Sequence, residues 1–358
     1  MLHAELATRP KARYRRAMTH PAKHPGKSFV VAVVGATGAV GREMMRTLDQ
    51  RRFPISRVVP LASKRSAGKV LEFGASEIVV AELGPQSFAG VDFALFSAGA
   101  SVSREFAPIA AKAGAIVIDN SSAWRMDPQV PLVVPEVNMG AANIRPKGII
   151  ANPNCSTIQM VVALKPLHDV SRIKHIVVST YQATSGKGHA AVEDLLAQAR
   201  AVLDGKLPAP SVFPGQMAFN VMSDWKAGEM DYSEEEHKMV NETRKIMGDD
   251  SIGVSPTTVR VPVLNGHAES IFVEFHEPMT AERAKGLLRA AEGVVLVDQA
   301  YAPGKHPQPV HASGTDPVYV GRVRDDLAVK GAINMFVVAD NLRKGAALNA
   351  VQIAERLI

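Results

Sequence analysis

The sequence predicts an α/β chain, a doubly wound parallel sheet followed by an α+β unit on a large mixed sheet, and three observations predict it. Up to residue 170, short apolar runs alternate with helical stretches, the grammar of a parallel sheet wrapped by helices. A glycine-rich loop separates the first run from the first helix. Beyond residue 170 the runs lengthen and alternate with long helices, which suits a second domain in a chain of 358 residues.

Residues 1–27 come first in chain order. They carry seven basic side chains (Arg9, Lys11, Arg13, Arg15, Arg16, Lys23 and Lys27) against one acid, Glu5. Pro10, Pro21, Pro25 and Gly26 interrupt a stretch with few large apolar residues, so this tail reads as disordered. It lacks the apolar centre of a secretory signal; an organelle leader and a true translation start at Met18 stand as two readings of it. The other 331 residues hold 34 of the 41 basic and 34 of the 35 acidic side chains. The formal charge of +6 therefore belongs to the tail and does not argue for nucleic-acid binding. A hydrophobic fraction of 46% without a long apolar run indicates a soluble globular chain and no membrane span. The single Cys rules out an internal disulfide and suits a reducing, cytoplasmic setting.

From Ser28 the pattern turns regular. Phe29–Val34 is the first strand and Arg42–Asp49 the first helical stretch. Val58–Ala62, Ile78–Ala81, Phe93–Phe96, Ala115–Ile118 and Gly148–Ala151 fit further buried parallel strands, with helices near 101–113 and 156–168. The second part offers strands at Lys174–Thr180, Val254–Val263, Ser270–His276 and Ala332–Val338, and helices near 189–203, 233–247 and 280–291. A final helix over 345–358 puts Ala346, Ala350, Ile353 and Leu357 on one stripe.

The loop Gly35-Ala36-Thr37-Gly38-Ala39-Val40-Gly41 follows a strand and opens a helix, where glycines let the backbone approach a pyrophosphate. The first half is therefore expected to be a Rossmann-like dinucleotide-binding domain. Three glycines also make an ordinary tight turn; the flanking strand and helix favour the nucleotide. NAD sites usually end the second strand on an acid, whereas this one runs Leu61-Ala62-Ser63-Lys64-Arg65-Ser66. Two cations and two hydroxyls accommodate a 2′-phosphate, which points to NADP(H) with Ser63, Arg65 and Ser66 in contact; a solvated basic turn is the alternative.

Asn152-Pro153-Asn154-Cys155-Ser156-Thr157 lies between a strand and the next helix. A thiol there feels the positive end of the helix dipole, which favours the thiolate that attacks carbonyl carbon. The usual fate of a lone Cys is to pack as a small inert hydrophobe, but an Asn-Pro-Asn turn is not the usual frame of a core position. Eleven histidines compete to serve it, and any of them can be structural. His267 is the best placed, after Gly266 and between two strands, with Arg260 upstream to bind a carboxylate. His306 and His311 read as surface residues of a Pro-rich loop, and no pair of His, Cys or acids has metal-ligand spacing. Ser233 with Glu236 forms a capping box, so a helix starts there and shows Glu235 and Lys238 on one face; these acids also simply complement the helix dipole.

Six segments in order, Gly35–Gly41, Asn120–Arg125, Asn152–Thr157, Tyr181–Gly186, Arg260–His267 and Asp340–Asn349, resemble the aspartate-semialdehyde dehydrogenase family, and the resemblance covers residues 28–358. It implies Cys155 as the acyl-thioester nucleophile, His267 as the acid–base and Gln182 as the residue positioning the thioester. Arg260 would hold the substrate carboxylate, Glu235 its ammonium, and Arg125, Asn154 and Lys238 the phosphate. Gly35, Thr37, Gly38, Ala39, Val40, Gly41, Ser63, Arg65, Ser66, Ser185, Gly186 and Asn341 would line the cofactor. The implied domains are a NADP-binding unit over 28–154, completed by a C-terminal helix at 341–358, and a catalytic and dimerisation unit over 155–340. The implied reaction is the reversible reductive dephosphorylation of 4-phospho-L-aspartate to L-aspartate 4-semialdehyde, in lysine, threonine and methionine biosynthesis. A homodimer and small-molecule substrates are expected, with no nucleic acid or membrane. Rival readings are an N-acetyl-γ-glutamyl-phosphate reductase, a cofactor-free Cys–His hydrolase and a noncatalytic nucleotide sensor. An amine-binding Glu235 opposes the first, the Gly35–Gly41 loop the second, and the retained Cys155 the third.

Overall fold

β1 (Phe29–Val34) is a run of apolar, mainly β-branched side chains buried on both faces, which a central strand of a parallel sheet satisfies. The computed structural model describes residues 26–224, 228–297 and 306–358; the tail expected to be disordered lies outside them, except for Gly26 and Lys27. After the helix Ala39–Gln50, β2 (Ile55–Ala62) pairs with β1 in parallel, Val34 opposite Leu61. β3 (Val70–Phe73) and β4 (Ser76–Val79) form a separate antiparallel hairpin, and β5 (Ala81–Glu82) borders β2. β6 (Phe93–Phe96), β7 (Ile116–Asp119) and β8 (Ile149–Ala151) complete six parallel strands in the order β5-β2-β1-β6-β7-β8. The strand order reverses between β1 and β6, and the crevice at such a switch point is where open α/β sheets bind ligands.

The expected buried strand Ile78–Ala81 is corrected by this arrangement. Ser76, Glu77 and Val79 are exposed, so the run turns back on β3 at the surface and only its last residue reaches the sheet. The C-terminal helix is also shorter than expected. Arg343–Ala347 is a π-helical turn and the α-helix proper is Leu348–Glu355. Burial there extends beyond one stripe because Arg343 pairs with Glu43 and Asp316, and Lys344 with the buried Glu136, so the polar face is drawn inward too. Ala347, Ala350, Val351 and Ile353 share one apolar cluster with Val31, Val33, Met44 and Leu48, which seats this helix on the parallel sheet.

Among the described residues the second sheet has seven strands, in the order β10-β11-β9-β12-β15-β14-β13. They are β9 (Ile173–Gln182), β10 (Met222–Ser223), β11 (Gly253–Arg260), β12 (His267–Phe275), β13 (Val294–Val297), β14 (Val318–Asp325) and β15 (Ile333–Ala339). β13 and β14 were not expected, and Val254–Val263 ends three residues early, at Arg260. The helices His189–Leu203, Glu234–Met247 and Ala281–Ala290 lie close to their expected places. The helix Cys155–His168 is apolar nearly all round and buried in the cluster that joins β6, β7, β9, β12 and β15. The opposite face of the second sheet is open, with Val177 and Tyr181 of β9 at 40% and 38% exposure.

Candidate active site

The carboxyl ends of β1, β6, β7 and β8 lie along one edge of the parallel sheet. At β1 the Gly35–Gly41 loop turns into the helix Ala39–Gln50, whose N-cap Gly38 offers no capping side chain and whose first turn holds no acid. The first-turn N–H groups are thus left for an anion. A Cβ at Gly41 would collide with the Gly35 carbonyl oxygen, and one at Gly35 would lie 3.0 Å from Ala98 N, so the loop closes this tightly only with glycine. Thr37, Gly38, Ala39 and Val40 sit at the partly exposed rim. Beyond β2, Lys64–Ser66 forms a single 3₁₀ turn with Ser63, Lys64 and Arg65 exposed and Ser66 buried; neither cation meets an acid among the described residues. A bare N-terminus in a glycine cradle, with a free basic turn beside it, fits a nicotinamide dinucleotide.

At β8 the chain enters the helix Cys155–His168. Asn154 is its N-cap, and its Oδ1 accepts from Ser156 N at 3.0 Å and Thr157 N at 3.4 Å. Cys155 is thereby the first helical residue, half-buried. A Cβ on Gly345 would come within 2.8 Å of Cys155 Cβ, so the π-helical turn backs Cys155 at a distance only glycine allows.

Three strand ends converge on this point. Gln182 closes β9, Arg260 closes β11 directly beside it, and His267 begins β12. Gln182 Nε2 donates to Ser156 Oγ at 2.9 Å and Arg260 Nη1 to the Ala183 carbonyl at 2.7 Å. His267 Nδ1 accepts from Ala183 N–H at 3.0 Å, so the proton of the neutral ring belongs on Nε2, which has no hydrogen-bond partner among the described residues. Gly186 lies against both Arg260 and His267, where a Cβ would come within 3.0 Å of Arg260 Nη1 and 3.2 Å of His267 Nε2. Ser185 Oγ meets Asn265 and Asn341, and Asn341 Oδ1 accepts from Gly266 N–H at 2.8 Å, tying the segment after β15 to the turn before His267.

The remaining residues form a charged pole on the helix Glu234–Met247. Its expected capping box is present, with Ser233 Oγ accepting from Glu236 N and Glu236 from Ser233 N. Glu235 accepts from Lys238 at 3.1 Å and from Asn154 Nδ2 at 2.7 Å. Arg125 is buried, donating to the Asn120 and Asn152 carbonyls and to Glu242, each at 3.0 Å. Sequence reasoning missed Glu242 and Lys245. The available signal was their spacing, since 235, 238, 242 and 245 lie on one helical face and an acid on a core-facing stripe calls for a partner.

The electrostatics differ from the expectation for a helix-terminal thiol. Burial and then the Glu235 carboxylate push Cys155 up to about 11, against Arg260, Arg125 and the Ser156 N–H. One N–H at the helix end does not offset desolvation plus a nearby carboxylate. Burial and then Arg260 push His267 down to about 3, so its imidazole is neutral. Burial works against the Glu235 carboxylate, yet Lys238, Asn154 and Arg260 outweigh it and hold it at about 2. The chain alone thus sets a protonated thiol beside a neutral imidazole and a fixed carboxylate.

Comparison with known proteins bears on this arrangement. Residues 30–144 match the family described as semialdehyde dehydrogenase, NAD binding domain, and residues 164–344 match semialdehyde dehydrogenase, dimerisation domain. The aspartate-semialdehyde dehydrogenase of Aquifex aeolicus is 54% identical over 334 residues, covering 92% of this chain and 98% of the relative. A crystal structure of aspartate semialdehyde dehydrogenase II complexed with ASA from Vibrio cholerae superposes with a TM-score of 0.90 at 47% identity, covering 92% and 98% of the two chains. That of a probable aspartate-semialdehyde dehydrogenase from Pseudomonas aeruginosa gives 0.86 at 31%, with the same coverage.

Proposed function

Because the chain belongs to the aspartate-semialdehyde dehydrogenase family, we propose that it interconverts 4-phospho-L-aspartate and L-aspartate 4-semialdehyde with NADP(H) through a thioester on Cys155. The observation that carries this reading is the convergence of Cys155, Gln182, Arg260 and His267 at the carboxyl edge of the parallel sheet that ends in the glycine cradle. In the reductive direction Cys155 gives up its thiol proton to the departing phosphate, Sγ bonds to the acyl carbon, the bond to the phosphate oxygen breaks, and hydrogen phosphate leaves. Arg125, Asn154 and Lys238 face the charge that builds on it. The nicotinamide, when bound, supplies the hydride that reduces the thioester. His267 Nε2–H hydrogen-bonds the acyl oxygen while negative charge builds there, Gln182 orients the thioester, and the C–S bond breaks as the carbonyl re-forms, releasing the semialdehyde and leaving the electron pair on Cys155 as thiolate. Arg260 pairs with the substrate carboxylate and Glu235 with its ammonium.

This assignment also accounts for the raised thiol. Burial and then the Glu235 carboxylate push Cys155 up, and a substrate ammonium docked on Glu235 offsets the second of these, which favours thiolate when substrate is in place. The exposed Ser63, Lys64 and Arg65 support NADP over NAD, with Ser66 behind them. Thr37, Gly38, Ala39 and Val40 would follow the pyrophosphate, and Ser185, Gly186 and Asn341 the nicotinamide side. The same reading divides the chain into a NADP-binding unit over 28–154, completed by 341–358, and a catalytic unit over 155–340. The open sheet face with Val177 and Tyr181 supports a homodimer through the second sheet. Work in the cytoplasm, on the route to lysine, threonine and methionine, follows from the family.

Absorbance at the NADPH band, followed with L-aspartate semialdehyde, phosphate and NADP, tests the proposal. Growth that requires phosphate, and that is weaker with NAD, is expected. Growth with the N-acetyl-glutamate analogue alone would instead assign the rival reductase. A sedimentation mass equal to one chain would overturn the dimer.

A further inference from the structure

Glu242 stands outside the roles assigned so far, yet it is the most deeply enclosed acid of the charged pole, 1% exposed. Both its oxygens are engaged by parts of the site that belong to different segments of the chain. Oε1 accepts from Arg125 Nη1 at 3.0 Å, and Oε2 accepts from the backbone N–H of Asn154 at 2.6 Å. Asn154 is the N-cap of the helix on which Cys155 is the first residue. One turn further along the same helix, Lys245 donates to the carbonyls of Arg125, Asp127 and Val130 at 2.7, 2.8 and 2.9 Å. The loop bearing Arg125 is therefore held by its side chain and its backbone from one helical face.

We propose that Glu242 is a positioning residue that locks the anion-facing Arg125 to the N-cap of the nucleophile's helix, so that the phosphoryl group and Cys155 Sγ are held at a fixed separation. An arginine without its acid has several rotamers, and one bonded at Nε, Nη1 and Nη2 to Asn152, Glu242 and Asn120 has one. The two remaining N–H groups, one on each Nη, then have a fixed direction for an incoming oxyanion. In the same stroke the carboxylate fixes Asn154, whose amide bonds Glu235 and whose Oδ1 starts the helix. A buried carboxylate bridging two charge-assisted bonds tolerates neither neutralisation nor shortening without releasing one partner.

The phosphate half of this proposal rests on the function proposed above; the coupling half does not. Glu242→Gln keeps shape but places an N–H₂ against either Arg125 or Asn154 N–H. In the full-length enzyme, the KM for inorganic phosphate is expected to rise by about tenfold or more, while the KM for semialdehyde and for NADP stays within about twofold. A residue with a purely structural role would lower the active fraction and leave all three KM values in place. Hydrogen–deuterium exchange reads the coupling without turnover, and should show faster exchange in residues 120–131 and 152–157 together. Should the unmodified protein show no phosphate-dependent turnover, the functional reading has failed and exchange alone decides the lock. An unchanged phosphate KM in an active enzyme, or faster exchange in only one of the two segments, would overturn the proposal. If Glu242→Gln does not yield folded protein, Glu242→Asp decides by the same readouts, since it keeps the charge and loses the reach to one partner.

Discussion

The two sides of the candidate site are built by opposite means. The nucleotide side is backbone: a glycine loop, a bare helix N-terminus, and a basic turn that no acid engages among the described residues. The thiol side is side chain: Cys155, Gln182, Arg260, His267, Glu235 and Arg125, delivered by several strands and helices, with all but Cys155 held by bonds to Ser156, Ala183, Asn154 and Glu242. A backbone site is fragile to added atoms but has few charges to titrate. A side-chain site is sensitive to each charge, because each sets the protonation of its neighbours.

The largest expected effect separates the two sides. Cys155→Ala should lower kcat by at least about 10⁴-fold while cofactor affinity, read by fluorescence titration, stays within about threefold. Loss of cofactor binding as well would mean that the sides are not separable. Next, His267→Asn should lower kcat by about 10²-fold with little change in KM, as for loss of one preorganised donor. A rise in KM alone would make His267 a binding residue.

His267 also predicts a pH dependence of stability. Its folded value is pushed down to about 3 by burial and then Arg260, so the unfolded chain takes up the proton first as pH falls. Its contribution to stability is full above the ordinary imidazole range and is lost as pH drops toward 3. Urea midpoints of His267→Asn should therefore fall less steeply over that window than those of the unmodified chain; parallel curves would contradict a buried neutral imidazole. On the backbone side, Gly41→Ala should cost about 1–3 kcal/mol of stability by overpacking and weaken cofactor binding, yet leave Cys155 alkylation by iodoacetamide unchanged. The smallest effect sharpens the charge argument. Glu235→Gln should lower the pH midpoint of Cys155 alkylation by about one unit from its raised position. An upward move would remove Glu235 as the cause.

The same contrast governs what was legible in the sequence. The cradle occupies seven consecutive residues, so its spacing, strand and helix could be read together. The capping box at Ser233 and the Glu235–Lys238 pair were likewise local, three residues apart. Glu242 and Gly345 escaped because their meaning lies with Arg125, 117 positions away, and with Cys155 in another element. The hairpin that replaced Ile78–Ala81 escaped for a related reason. Apolar alternation cannot say whether a short run pairs inside the sheet or folds back on its neighbour.

The sequence by itself determined the alternation of strands and helices, the glycine cradle, the position of Cys155 at a helix start and the basic turn after β2. Each follows from periodicity, capping and backbone freedom within a few residues. Only the tertiary structure decided the protonation of the site. It set a half-buried thiol near Glu235, gave the His267 Nδ1 a backbone N–H while Nε2 has no partner among the described residues, and joined Arg125 to Asn154 through one acid. Charge states depend on burial and on neighbours brought from far along the chain, and those distances do not exist until the two sheets are packed around the Cys155 helix.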